Sequence, residues 1–66
     1  MRLTVNGLPQ LTEADTTLAE LITAISDRET GIAVAVNSEV VPRSSWPRTS
    51  LFEGDRVDVV TAVQGG

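Results

Sequence analysis

Met1, Leu3 and Val5 alternate with Arg2, Thr4 and Asn6, a period of two that predicts a strand with one buried face. Asn6-Gly7 follows. Both residues tolerate positive φ, so the pair predicts a tight hairpin. The returning strand is expected from Leu8 to Glu13, at a sheet edge because Pro9 cannot donate to a ladder. Thr17-Leu18-Ala19-Glu20 has capping-box spacing: the Thr17 hydroxyl accepts from the Glu20 amide while the Glu20 carboxylate reaches back. Leu18, Leu21, Ile22 and Ile25 fall at i, i+3, i+4 and i+7, one apolar stripe on a helix ending near Ser26. A helix this short depends on burying that stripe in the core. Asp15 and Glu20 stand toward its N-terminus, where the macrodipole favours them.

Asp27 to Gly31 reads as a polar loop, and Gly31 to Asn37 as a strand apolar on both faces, hence well covered. Ser38-Glu39 is expected to turn the chain into a short strand, Val40-Val41, which Pro42 limits. Arg43 to Ser50 has no period and is expected to be irregular, with Trp46 as a lid over one end of the core. Glu53-Gly54-Asp55 forms a turn. Its two carboxylates have no histidine or third ligand nearby and read as solvated turn residues. Arg56 to Val63 is the last strand, with Val57, Val59 and Val63 on one face and Val60 and Ala62 on the other, which suits a central position. Residues 1–63 thus form one α+β domain in which a helix crosses one face of a sheet by a right-handed connection, and residues 64–66 form a flexible tail.

Composition removes most enzymatic readings. The 66 residues include no cysteine and no histidine, so there is no disulfide framework, thiol nucleophile, imidazole base or zinc-thiolate site. A domain of this size buries only about 60% of its unfolded surface and leaves little room for an internal active site. No catalytic residue, metal ligand or bound cofactor is assigned, and the chain is expected not to be an enzyme. Nine acidic residues against five arginines give a net charge of −4, which disfavours nucleic acid and anionic membrane and favours proteins with basic docking surfaces. The N-terminus carries no signal-peptide-like apolar region and no run reaches membrane-spanning length, so a cytoplasmic location is expected.

The sequence closes on Gln64-Gly65-Gly66. A carboxylate on two glycines is narrow and chemically addressable, although a frayed end can carry the same residues. Three extended residues reach about 10 Å, enough to enter a narrow channel. The chain also contains no lysine. Bias toward arginine accounts for that, as does avoidance of amines that an activated C-terminus would acylate.

Gly31 to Asn37, Val40-Val41-Pro42-Arg43 followed by Trp46, Glu53-Gly54-Asp55 and the terminal Gly65-Gly66 together resemble the ThiS family of thiamine-biosynthesis sulfur carriers, within the ubiquitin-like β-grasp proteins. The resemblance covers essentially the whole chain. It implies a mixed sheet in strand order 2-1-5-3-4 with the helix across one face. It also implies a chemistry centred on Gly66. An E1-like adenylating enzyme uses Mg-ATP to make an acyl-adenylate there, sulfur from a cysteine desulfurase or another persulfide source converts it to a thiocarboxylate, and thiazole synthase takes the sulfur. Gly65 and Gln64 would enter the partner active sites with it. The sheet face opposite the helix is the expected docking face, through Val60, Ala62 and Phe52, with Ala33 and Ala35 beside them. Three other roles fit the residues: a small subunit of molybdopterin synthase, a ubiquitin-like protein modifier joined through Gly66, and a binding module with inert glycines.

Overall fold

The computed structural model describes residues 1–26 and 31–61. The chain begins with an antiparallel hairpin, β1 (Arg2–Val5) and β2 (Leu8–Leu11), in which Arg2 stands opposite Leu11 and Val5 opposite Leu8. Asn6 and Gly7 take φ of 51° and 82°, both in the left-handed region that a two-residue hairpin turn requires. β2 ends two residues earlier than its apolar pattern suggests and forms one edge of the sheet.

Helix α1 (Leu18–Ile25) starts at the expected capping box: the Thr17 Oγ1 accepts from the Glu20 amide at 3.2 Å, and Glu20 Oε1 accepts from the Thr17 amide at 2.8 Å. A second partner completes the start. The Leu18 amide donates to the Thr49 carbonyl at 2.9 Å, satisfying a donor that a helix cannot pair internally. Leu18, Leu21 and Ile22 are buried, Ile25 packs at the margin, and Ser26 is the C-cap.

Three strands complete the sheet: β3 (Ile32–Val36), β4 (Glu39–Val40) and β5 (Arg56–Thr61), in the order β2-β1-β5-β3-β4 that the resemblance implies. β5 is central, parallel to β1 and antiparallel to β3. The core consists of Leu3, Leu18, Leu21, Ile22, Val34, Trp46, Leu51 and Val57, so every strand of the central trio contributes one buried residue to the face beneath α1.

Several local expectations are corrected. The β3–β4 turn is at Asn37-Ser38, with φ of 51° and 72°, so β4 lies one residue earlier than Val40-Val41. β3 is covered on one face only: Val34 is buried, but Ala33 is exposed. Its apolar run is doubled by small alanines rather than by a second packing layer. Arg43–Arg48 is a 3₁₀ helix instead of an irregular stretch. Its prolines suit it: Pro42 stands at the N-cap and accepts from the Ser45 amide (2.8 Å), and Trp46 accepts from the Thr49 amide (3.2 Å). Trp46 does close the core, 5% exposed, with its Nε1 donating to the Val41 carbonyl at 2.9 Å. Glu53 and Asp55 are turn residues as expected, and each also binds a backbone amide. Glu53 Oε1 accepts from the Arg2 amide at 2.9 Å and Asp55 Oδ2 from the Phe52 amide at 2.8 Å, closing the turn into β5. The loop expected at Asp27 to Gly31 falls outside the described residues except for Gly31.

Candidate functional site: the end of β5 and the open sheet face

Gly66, Gly65, Gln64 and Ala62 lie outside the described residues, as does Val63. The described chain ends at Thr61, the last residue of the central strand. The surroundings of that end are well defined. On one flank Ile32 stands opposite Thr61, Ala33 opposite Val60 and Val34 opposite Val59. On the other flank the parallel ladder with β1 pairs only Thr4 with Arg56 and Val5 with Val57. Beyond it, the Asn6 side chain takes over. Its Oδ1 accepts from the Val59 amide at 2.7 Å and its Nδ2 donates to the Val59 carbonyl at 3.2 Å. A groove lined by Val5, Leu8, Ile25, Ile32 and Thr61 runs beside this point.

Period-two alternation separates the faces of β5. Val57 is fully buried and Val59 packs against the core, so Arg56, Asp58 and Val60 project to the face away from α1. Val60 is 61% exposed there, with the exposed Ala33 opposite it. Ala35 stands opposite both Asp58 on β5 and Val40 on β4, and Val40 is 71% exposed. Val40 thus belongs to the same apolar strip as Val60. The sequence reading missed it because a turn placed one residue late assigns Val40 and Val41 no definite faces. With the turn at Asn37-Ser38, Val41 packs against the core and Val40 points outward.

Phe52 is also exposed, at 67%, but it lies in the turn before β5. The four residue steps from Arg56 to Val60 alone span about 13 Å. An Arg56–Asp58 ion pair, 3.8 Å between Nε and Oδ2, stands along that path. The structure therefore brings Val60, Ala33, Ala35 and Val40 together and leaves Phe52 at the far end. Among the described residues no helix is long and apolar enough to cross a membrane.

A family model described as the ThiS family matches residues 3–66, nearly the entire chain. The chain belongs to the ThiS family. The sulfur carrier protein ThiS of Escherichia coli is 29% identical over 66 residues, the whole of both chains. Two proteins named thiazole synthase, from Paramagnetospirillum magneticum and Magnetococcus marinus, are 30% and 35% identical over the same 66 residues; the chain spans only 20% of the length of each. Among solved structures, the crystal structure of the thiamine biosynthesis protein ThiS from Geobacter metallireducens matches with a TM-score of 0.85 at 31% identity, covering all of both chains. The solution structure of a thiamine biosynthesis protein from that organism matches with a TM-score of 0.77 at 30% identity, over all of this chain and 88% of that one. The fold is accordingly the ThiS-type β-grasp.

Proposed function

We propose that this chain is the sulfur carrier for the thiazole moiety of thiamine and that Gly66 is the residue modified. The observation that carries this reading is the end-to-end match, Gly65-Gly66 included, to the ThiS family and to a sulfur carrier of the same length. A carboxylate is a poor electrophile at neutral pH, so the Gly66 carboxyl is first activated as an acyl-adenylate by an E1-like enzyme that uses Mg-ATP. The terminal sulfur of a persulfide on a cysteine desulfurase or a similar donor then displaces AMP to give an acyl disulfide. A second thiol cleaves its S–S bond, is itself oxidised to a disulfide with the donor sulfur, and releases the thiocarboxylate. The carrier's own part is mechanical. It offers an end slender enough to enter two different active sites, since glycine at 65 and 66 lets the backbone lie against channel walls where a Cβ would clash.

Thiazole synthase is the proposed acceptor of the sulfur. Support comes from the two thiazole synthases that contain a segment resembling this chain: a carrier-like unit within a synthase polypeptide fits a carrier that delivers sulfur to such a synthase. The open face around Val60 is proposed to dock the adenylating enzyme; Ala62, which alternation assigns to the same face, lies outside the described residues, and Phe52 stands at the far end of β5. Exposed apolar residues gathered on one face fit an interface, and the net charge of −4 favours a partner with a basic surface.

Intact mass after incubation with a cognate adenylating enzyme, Mg-ATP and a sulfur donor tests the reading. The expected result is a gain equal to the exchange of one oxygen for sulfur, abolished by deletion of Gly66. Gly65→Ala and Gly66→Ala are expected to fold normally and to fail in adenylation. Normal thiocarboxylate yield from both would remove the role given to the glycines.

A further inference from the structure

β5 has asparagine side chains bound to its backbone at two opposite corners. Asn37, at the end of β3, accepts from the Arg56 amide through Oδ1 (2.9 Å) and donates to Asp55 Oδ1 through Nδ2 (3.0 Å), fixing where β5 begins. Asn6, at the end of β1, does the corresponding task at the other flank and the other end. Its backbone amide donates to the Val57 carbonyl at 2.9 Å, and its carboxamide then binds both the amide and the carbonyl of Val59. That carboxamide presents the acceptor and donor that a further β1 residue would have offered, just where β1 turns away. Both asparagines have φ of 51°, the left-handed conformation that asparagine tolerates better than other side-chain-bearing residues. The two contacts of Asn6 with Val59 span 53 positions of sequence.

We infer that Asn6 is a positioning residue for the C-terminal segment: its carboxamide holds Val59 in the sheet and so fixes the point from which residues 62–66 continue. This inference rests on the reading of Gly66 as the modified residue. Without the carboxamide, β5 beyond Val57 keeps only β3 as its strand neighbour, with the open groove at its other side. With that flank unpinned, Val59 is held in the sheet through β3 alone, and the strand end from which the chain continues toward Gly66 is placed less precisely. An adenylating enzyme that grips the open sheet face would then hold the body correctly and present Gly66 imprecisely. Misplacement of a reacting group lowers the chemical step more than it lowers binding.

Asn6→Gly separates the carboxamide from the turn, because glycine accepts the left-handed backbone without strain. Asn6→Asp keeps an acceptor for the Val59 amide. Amide hydrogen exchange and steady-state adenylation of these variants, with a cognate adenylating enzyme and Mg-ATP, test the inference. In Asn6→Gly the Val59 amide is expected to exchange about threefold to tenfold faster, the range that one net hydrogen bond produces. The amides of Leu3 and Val34 should be unchanged. The kcat for adenylation should fall by a similar factor while KM for the carrier stays within about twofold. Asn6→Asp, which still accepts from the Val59 amide but cannot donate to its carbonyl, should restore part of that protection and part of kcat. Unchanged exchange at Val59, a uniform rise across the sheet, an unchanged kcat, or a loss confined to KM would each overturn it. Failure of the functional reading looks different: the unmodified sequence itself would gain no adenylate at Gly66, while the exchange comparison would still report whether Asn6 holds Val59.

Discussion

Val57 and Val60 are the same residue type on the same strand, three positions apart, yet one is fully buried and the other 61% exposed. The first lies in the core with Leu3 of β1 and Val34 of β3, and the second faces outward opposite Ala33. Burying the Val57 side chain contributes roughly 1.5–3 kcal/mol to folding. Val60 contributes little of that by burial, although its β-branched side chain suits a strand on either face. The sheet divides accordingly. The helix side accounts for stability, and the open side remains available for contact with another molecule.

Val57→Asp should break the stable side outright. An unpaired carboxylate at a position with no solvent exposure costs several kcal/mol, and a domain of this size has only about 3–5 kcal/mol in hand. Circular dichroism should show no cooperative thermal transition. A folded variant would mean that the sheet can shift to expose residue 57.

Trp46→Phe should cost less, about 1–2 kcal/mol, because the aromatic body remains while the Val41 carbonyl loses the indole donor that reaches it at 2.9 Å. Urea midpoints would measure it, and a change near zero would show that water replaces the indole. Thr17→Ala should cost about 1 kcal/mol, the usual value of an N-cap, and lower Tm by about 4–8 °C for a domain this small. An unchanged Tm would mean that the Thr49 carbonyl, bound to the Leu18 amide, secures the helix start by itself.

The stable side was largely legible in the sequence. Alternation in Met1 to Asn6, the Asn6-Gly7 turn, the capping box and the i, i+3, i+4, i+7 stripe are local signals, and each appears where the pattern places it. The errors arose where local and distant causes diverge. The absence of a period in Arg43 to Ser50 suggested irregular chain, but a 3₁₀ helix of Arg43–Arg48, which has Pro42 at its N-cap and tolerates Pro47, carries Trp46 into the core. Glu53 and Asp55 are turn residues as expected; what neighbouring positions could not show is the distant partner of Glu53, the Arg2 amide. The same holds for Asn6, whose turn role is local and whose hold on Val59 is not. On the open side, period two placed Val60 outward correctly, whereas Val40 required the register of the β3–β4 hairpin. The tail's role at Gly65-Gly66 came from family resemblance, since two glycines carry no pattern of their own.

Val60→Asp should have the smallest effect on stability of these substitutions and is the sharpest probe of the division between the faces. The side chain is already mostly in water, so exchanging it for a carboxylate should shift stability by no more than about 0.5 kcal/mol. A small penalty is expected from the neighbouring Asp58 on the same face, since like charges close together on a sheet repel. Binding to the adenylating enzyme should respond differently. If Val60 seats in an apolar contact of that partner, placing a charge there should weaken the complex by about 1–2 kcal/mol, roughly tenfold in Kd. Titration calorimetry beside thermal melts separates the two effects. Tight binding with an unchanged melt would return the open face to plain solvent-exposed surface, whereas weak binding with an unchanged melt would show that two valines on one strand serve different ends, one the fold and the other the partner.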